Sequence, residues 1–294
     1  MSAREPSALV TGATGFVGSH LTPALAAAGW RVSVLVRPST DRALLPEGVT
    51  VFVDDGTAAG LDAVMAEGDP DVVFHLATHF LSGHTPEDVP ALIEGNVLLG
   101  TRVAEALAHR GDRLFVNTAS AWQHYDGADY RPVALYAATK QAQEDILRYY
   151  TEMERLRVVT LILFDTYGPA DRRRKLLPLL AESSANGSVM QMSGGEQLID
   201  LLHVDDVVAA FLRAAELGDA AERYQSYVVS SGSPVSLRDA VAAFEEATGR
   251  TVPVEWGVRP YRDREMFEPW DAGARLPGWK PEVELVDGLR RTFA

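Results

Sequence analysis

Tyr136 and Lys140 stand four residues apart in the segment Tyr-Ala-Ala-Thr-Lys. On a helix that spacing puts both side chains on one face, so an ammonium reaches the side on which a phenol works. A free tyrosine titrates near ~10, and bringing it to about 7 takes ~4 kcal/mol of differential stabilisation, part of which a neighbouring cation supplies. Such a pair can give a proton to a carbonyl oxygen or take one from an alcohol. Solvated helices carry the same spacing, so the chemistry depends on what lies around it.

The start of the chain supplies that context. The apolar run Ala8 to Val10 breaks into Thr11-Gly12-Ala13-Thr14-Gly15-Phe16-Val17-Gly18, with glycines at three-residue spacing. Phe16, Val17, Leu21, Leu25 and Ala28 then keep helical apolar spacing up to Gly29, a helix C-terminal glycine. Strand, glycine turn and helix together form a place where backbone N–H groups and the helix dipole meet a diphosphate. Gly12, Thr14, Gly15, Phe16, Val17 and Gly18 are therefore the first candidates for binding a dinucleotide.

The second strand, Arg31 to Val36, ends on Arg37 and not on the carboxylate that usually accepts from an adenosine ribose. Arg37, Ser39, Thr40 and Arg42 offer guanidiniums and hydroxyls that suit a 2′-phosphate, so NADPH is expected over NADH. Asp54 and Asp55 close the third strand-like run, and either can accept from the adenine amino group.

These residues resemble the extended short-chain dehydrogenase/reductase family, through the glycine turn at Gly12, Gly15 and Gly18 and the pair Tyr136 and Lys140. Further matches follow in order: His75-Leu76-Ala77, Asn96 with Gly100-Thr101, Thr118-Ala119-Ser120, Tyr167-Gly168-Pro169 and His203-Val204-Asp205-Asp206. The resemblance implies that Leu76, Ala77, Thr78 and Thr118 border the cofactor along with Tyr136 and Lys140. It implies a catalytic set of Ser120, Tyr136 and Lys140, in which Ser120 hydrogen-bonds the reacting carbonyl oxygen. Thr118 is the alternative hydroxyl, two residues earlier on the same side of the strand. Asn96 reads either as a polar residue held by a backbone bond inside an apolar helix or, by resemblance, as a residue that shapes the cofactor site.

Most members of such a family act on nucleotide-linked sugars. Its dehydratases place an acidic pair after the serine, whereas this chain has Ala121-Trp122-Gln123, which argues against dehydration. An epimerase needs retained NAD, and Arg37 argues for an exchangeable phosphorylated cofactor. The run Ser120-Ala-Trp-Gln-His-Tyr125 is similar to the branch that reduces 4-keto-deoxyhexoses on CDP or dTDP, with abequose and paratose synthases among its members. Net reduction of a nucleoside-diphosphate 4-keto-6-deoxyhexose is the expected function. His79, Ser120, Trp122, Gln123 and Tyr136 are expected to meet the sugar, and Trp122 to offer an apolar face to a deoxy carbon. Arg172 and Arg173, in the one dense basic run, are expected to meet its diphosphate. Ile199 stands where the family often has a nucleotide-binding arginine. Alternatives are a 4-epimerase with retained NAD, a reductase of a smaller ketone or aldehyde, and a non-enzymatic NADP sensor, which would normally have lost the tyrosine and lysine.

Composition fits a cytosolic enzyme: 294 residues, 47% hydrophobic, no cysteine. A net charge of −14 argues against nucleic acid as a partner. Met1 to Ser7 lack an apolar segment and no apolar run approaches ~20 residues, so neither secretion nor membrane insertion is expected. His75, His79 and His84 lack metal-site spacing, and no metal is expected. His203 reads as a packed strand residue, with Asp205 or Asp206 as the N-cap after it. Alternating strand-like and amphipathic helical runs predict an α/β fold with a Rossmann-type, doubly wound parallel sheet. Residues 1–164 form the expected NADP-binding domain, with 201–230 returning to it; 165–200 and 231–294 form a smaller substrate domain. Dimerisation through helices at 88–110 and 136–155 is expected from the resemblance.

Overall fold

The computed structural model describes residues 4–217 and 222–294; Met1 to Ala3 of the polar start, and residues 218–221 within the 201–230 stretch, lie outside them. Strands β1 (Ser7–Thr11), β2 (Arg31–Val36), β3 (Thr50–Val53), β4 (Val72–His75), β5 (Arg113–Ser120) and β6 (Leu156–Leu163) build a parallel sheet. Parallel neighbours need crossover segments, here helices α1 (Phe16–Ala27), α2 (Ala58–Gly68), α3 (Val89–Ile93), α4 (Leu99–Ala108) and α5 (Leu135–Glu152), with a single short 3-10 turn, Arg42–Leu44, between β2 and β3.

Alternation along each strand divides the sheet's apolar residues between two cores. Ala8 and Val10 join Leu114, Val116, Val159 and Leu161 beneath α1, while Leu9 joins Phe115 and Val158 beneath α2, α4 and α5. Between β6 and the last strand of the sheet the chain forms β7 (Asp165–Tyr167), α6 (Leu176–Asn186), β8 (Met190–Gln191), β9 (Leu198–Ile199), β10 (Leu201–His203) and α7 (Val204–Glu216). Strand β11 (Tyr224–Val229) then pairs with β6, and α7 lays Val207, Phe211 and Ala214 onto the α1 face. Seven strands run in the order β11-β6-β5-β4-β1-β2-β3, which is the doubly wound arrangement, with its reversal between β1 and β4.

The chain closes with β12 (Val235–Ser236), α8 (Leu237–Thr248), β13 (Val254–Glu255) and α9 (Leu285–Phe293). A third core gathers Leu177 and Leu180 of α6, Ala240, Val241 and Phe244 of α8, and Leu289 of α9 around Tyr167. The N-cap of α7 is His203, whose ring accepts from the Asp205 N–H, and not either aspartate. Asp206 instead accepts from the backbone N–H groups of Glu282 and Val283, tying α7 to the last segment. No helix among the described residues is long and apolar enough to cross a membrane.

Candidate active site

One cleft of about 1600 Å³ opens along the carboxyl ends of the strands. Its floor begins at the turn between β1 and α1. Gly12 has φ +72°, and a Cβ there would lie 2.6 Å from the backbone nitrogen of Ala77, so only glycine lets the turn meet the strand β4 exit. A Cβ on Gly18 would lie 2.2 Å from the Gly12 carbonyl oxygen. Gly15 caps α1 without a side-chain acceptor, which leaves the first N–H groups of the helix facing the cleft, where Thr14, Phe16 and Val17 also lie. An open helix start against a Cβ-free cradle suits a dinucleotide diphosphate.

At one end of the cleft stand Arg37, exposed at the end of β2, with Thr40 and Asp54; Ser39 is exposed and does not line it. The two aspartates divide their work. Asp54 faces the cleft and is held by Arg102 of α4, whose guanidinium donates to both carboxylate oxygens at 3.0 and 3.3 Å. Asp55 accepts from the N–H and hydroxyl of Thr57 at the start of α2, bonds that keep its carboxyl below the usual range.

At the other end β5 runs to Ser120, three residues further than its apolar run Leu114 to Asn117 indicates, so Thr118 and Ser120 both sit on the strand. The Thr118 hydroxyl donates to the His75 carbonyl at 3.0 Å and is thereby committed to the sheet. The Ser120 hydroxyl accepts from the Trp122 N–H at 3.3 Å, which leaves its proton to donate. Tyr136, in the first turn of α5, lines the cleft and is 8% exposed. Burial pushes its phenol up to about 12, against the pull of the Thr78 and Ser120 hydroxyls and with a further push from Asp165. Lys140 is buried one turn on, its ammonium donating to the Thr118 carbonyl at 3.0 Å and lying 6.0 Å from the Tyr136 ring centre. Burial lowers Lys140 to about 8, while Glu144 opposes the fall.

Leu76, Ala77, Thr78 and His79 follow β4 along the cleft wall. Asn96 is buried behind them and outside the cleft. Its amide oxygen accepts from the Thr78 hydroxyl at 2.9 Å and the His79 N–H at 2.6 Å, and its amide nitrogen donates to the His79 carbonyl at 2.9 Å and to Thr139 of α5 at 3.0 Å. It sits in a π-helical turn, Glu94–Leu98, that interrupts the expected helix between α3 and α4. His75 is buried against Thr11 at 2.9 Å, and burial with the Lys140 charge lowers it to about 3, so it is neutral.

The sugar-facing candidates separate. Trp122 and His79 line the cleft, but Gln123 turns inward: its amide oxygen accepts from the Ser120 N–H at 2.9 Å and its amide nitrogen donates to Glu144 at 2.6 Å. Arg172 is exposed and outside the cleft, whereas Arg173 lines it, pinned by Asp171 and the Thr166 carbonyl with its guanidinium over the Phe16 ring at 4.1 Å. Sequence reasoning missed Phe80, which meets Tyr136 edge-on at 4.9 Å and Trp122 at 5.4 Å. It also missed Asp165, paired with Lys175 at 2.9 Å, and the cations Arg259 and Arg262, which line the same cleft, Arg262 at 5.7 Å from the Trp122 ring centre. The signal for the last two was a cluster of arginines, Arg259, Arg262 and Arg264, in an otherwise acidic chain.

Residues 8–230 match the model of the NAD dependent epimerase/dehydratase family. Over 96% of this chain and 95% of the relative's length, the sequence is 28% identical to a CDP-abequose synthase of Salmonella typhimurium. A UDP-glucose 4-epimerase of Mycolicibacterium smegmatis is 31% identical over 97% of this chain and 96% of its own. Among solved structures, MoeE5 in complex with UDP-glucuronic acid and NAD superposes with a TM-score of 0.82 at 29% identity, covering 98% of this chain and 97% of that one.

Proposed function

We propose, since this chain belongs to the NAD dependent epimerase/dehydratase family, that it reduces the C4 ketone of a nucleoside-diphosphate 4-keto-6-deoxyhexose with NADPH, in deoxysugar biosynthesis. The observation that carries this reading is the content of the two cleft ends: Arg37 beside a carboxylate already neutralised by Arg102 at one, and Ser120, Tyr136 and Lys140 at the other. Gly12, Gly15, Gly18 and the open start of α1 would hold the cofactor diphosphate, with Arg37 and Thr40 at the 2′-phosphate. NADPH, when bound, supplies the hydride.

The residues of the chain handle the oxygen and the proton. Ser120, with its lone pair engaged by the Trp122 N–H, donates to the ketone oxygen. Tyr136 gives its proton to that oxygen as the alcohol forms. At neutral pH Tyr136 is a phenol, the state from which a proton can be given. Lys140, fixed on the Thr118 carbonyl, stabilises the phenolate left behind. Arg174, Lys175, Arg259 and Arg262 line the outer cleft and suit a second diphosphate, and Phe80 and Trp122 offer apolar faces to deoxy carbons. The CDP-abequose synthase relative supports the substrate class. A cleft of about 1600 Å³ exceeds the roughly 300–1,000 Å³ of a single small-ligand pocket and suits two nucleotides.

The 31%-identical UDP-glucose 4-epimerase favours a second reading, C4 epimerisation with retained NAD. That cycle uses the same Ser120, Tyr136 and Lys140, so the two readings differ in the cofactor balance and not in the residues. Deuterium transfer separates the two. With NADPH carrying deuterium at both C4 positions and a 4-keto-6-deoxyhexose nucleotide, label at C4 of the product is expected; product lacking label contradicts the reduction.

A further inference from the structure

Behind Tyr136 and Lys140, and away from the cleft, lies a buried polar chain that the reduction as described does not use. Glu144 follows Lys140 by one turn of α5 and is likewise buried. Its carboxylate accepts from the Gln123 amide at 2.6 Å and from the Tyr224 hydroxyl of β11 at 2.8 Å. Gln123, 1% exposed, accepts in turn from the Ser120 N–H at 2.9 Å. A carboxylate this deep costs free energy unless hydrogen bonds and an opposite charge compensate it. The hydrogen bonds are neutral ones, and two opposite charges stand one turn away on the same helix, the buried Lys140 before it and Arg148 after it.

We infer that Glu144 and Gln123 form a positioning unit behind the Ser120, Tyr136 and Lys140 group. Glu144 holds Lys140 in its charged state and, through the Gln123 amide, fixes the backbone of Ser120 so that its hydroxyl faces the cleft. The charge balance around the unit leaves no other candidate for the first role. Lys140 faces Tyr136 and Glu144 on α5, the Thr118 carbonyl on β5, and His75 on β4, which burial and the Lys140 charge keep neutral. Glu144 faces Lys140, Gln123, the Tyr224 hydroxyl, and His124, whose imidazole burial disposes to be neutral. Arg148, the remaining nearby cation, stacks on the Tyr224 ring at 3.9 Å. Glu144→Gln is nearly isosteric: the new amide can accept from Gln123 and donate to the Tyr224 oxygen, so it removes charge while keeping the chain of bonds.

The inference rests on Lys140 as the cation behind Tyr136, but its test needs no substrate. The chain has three lysines, Lys140, Lys175 and Lys280, so protein labelled with 13C at lysine Cε gives three signals whose shifts report each ammonium. Lys140→Met assigns the first. In Glu144→Gln the Lys140 midpoint is expected to fall by about one unit or more, the size of an opposite charge at one helical turn. Tyr224→Phe, which removes a hydrogen bond and no charge, is expected to leave it in place. If Glu144→Gln does not fold, Glu144→Asp must lower the midpoint by a smaller amount. An unmoved midpoint in whichever variant folds, or equal shifts in Glu144→Gln and Tyr224→Phe, overturns the inference. A shifted midpoint in a protein that consumes no NADPH would leave it standing and remove the proposed reaction instead.

Discussion

Tyr136 and Lys140 depart from their ordinary titrations in opposite directions for one reason, burial of the charged form. Tyr136→Phe keeps the ring against Phe80 and removes the proton donor; turnover is expected to fall about 10²–10⁴-fold with NADPH affinity unchanged, as read by single-turnover kinetics and cofactor titration. Lys140 carries a stability signature. Its folded pKa is about 8 against an ordinary 10.5, so between those values the unfolded chain binds more protons than the folded one, and stability rises with pH in that window. Lys140→Met has no such titration. Relative to wild type its unfolding free energy is therefore expected to fall as pH rises from about 8 towards 10.5, on top of a constant offset from the Glu144 carboxylate it leaves without Lys140, measured by denaturant unfolding at each pH. A constant difference across the window contradicts a depressed Lys140. At this scale the types and spacing of Tyr136 and Lys140 were plain in the sequence, but the orientation of Gln123 was not. Trp122 and Gln123 are adjacent, and a 3-10 turn, Ala121–Gln123, sends the first outward and the second inward.

Elements position these residues, and two of the junctions are sharply tested by substitution. Gly12→Ala forces a Cβ to within 2.6 Å of the Ala77 nitrogen at a φ that side chains avoid, a strain of roughly 1–3 kcal/mol before the clash is counted. A lowered melting temperature and loss of NADPH binding are expected together; unimpaired binding would show that the turn is not the diphosphate cradle. Asn96→Ala cuts four hydrogen bonds joining the π turn, the loop after β4 and α5. The buried groups it strands cost about 1–3 kcal/mol each where nothing replaces them, so denaturant unfolding is expected to show a clear loss, with a lower turnover as Thr78 and His79 loosen. The strands were legible because near-continuous apolar runs mark strands buried on both faces. The π turn was not, since Leu92, Val97 and Leu98 keep an apolar spacing that a straight helix would also satisfy. Only Asn96, polar in that setting, marked the place.

Across the whole molecule, the doubly wound parallel sheet was legible in the alternation of strands and helices, whereas the outer wall of the cleft was not. Arg259 and Arg262 lie more than 120 residues beyond Ser120 in a segment with little regular structure, and no periodicity announces a loop that folds back over a distant strand end. Cofactor choice belongs to this scale, because it depends on what the remainder of the cleft leaves facing Arg37. Arg37→Ala is expected to cut the preference for NADPH over NADH by about tenfold or more, as for the loss of one charge-assisted phosphate contact, with kcat on NADH little changed; an unaltered ratio would move the 2′-phosphate elsewhere. The most direct measurement counts cofactor against product. A 4-keto-6-deoxyhexose nucleotide is generated in situ, the absorbance of reduced nicotinamide is followed, and the sugar is identified at the end. One NADPH consumed per 4-hydroxy sugar formed, faster than with NADH, is the predicted result; a sugar inverted at C4 with no net NADPH consumed would contradict it.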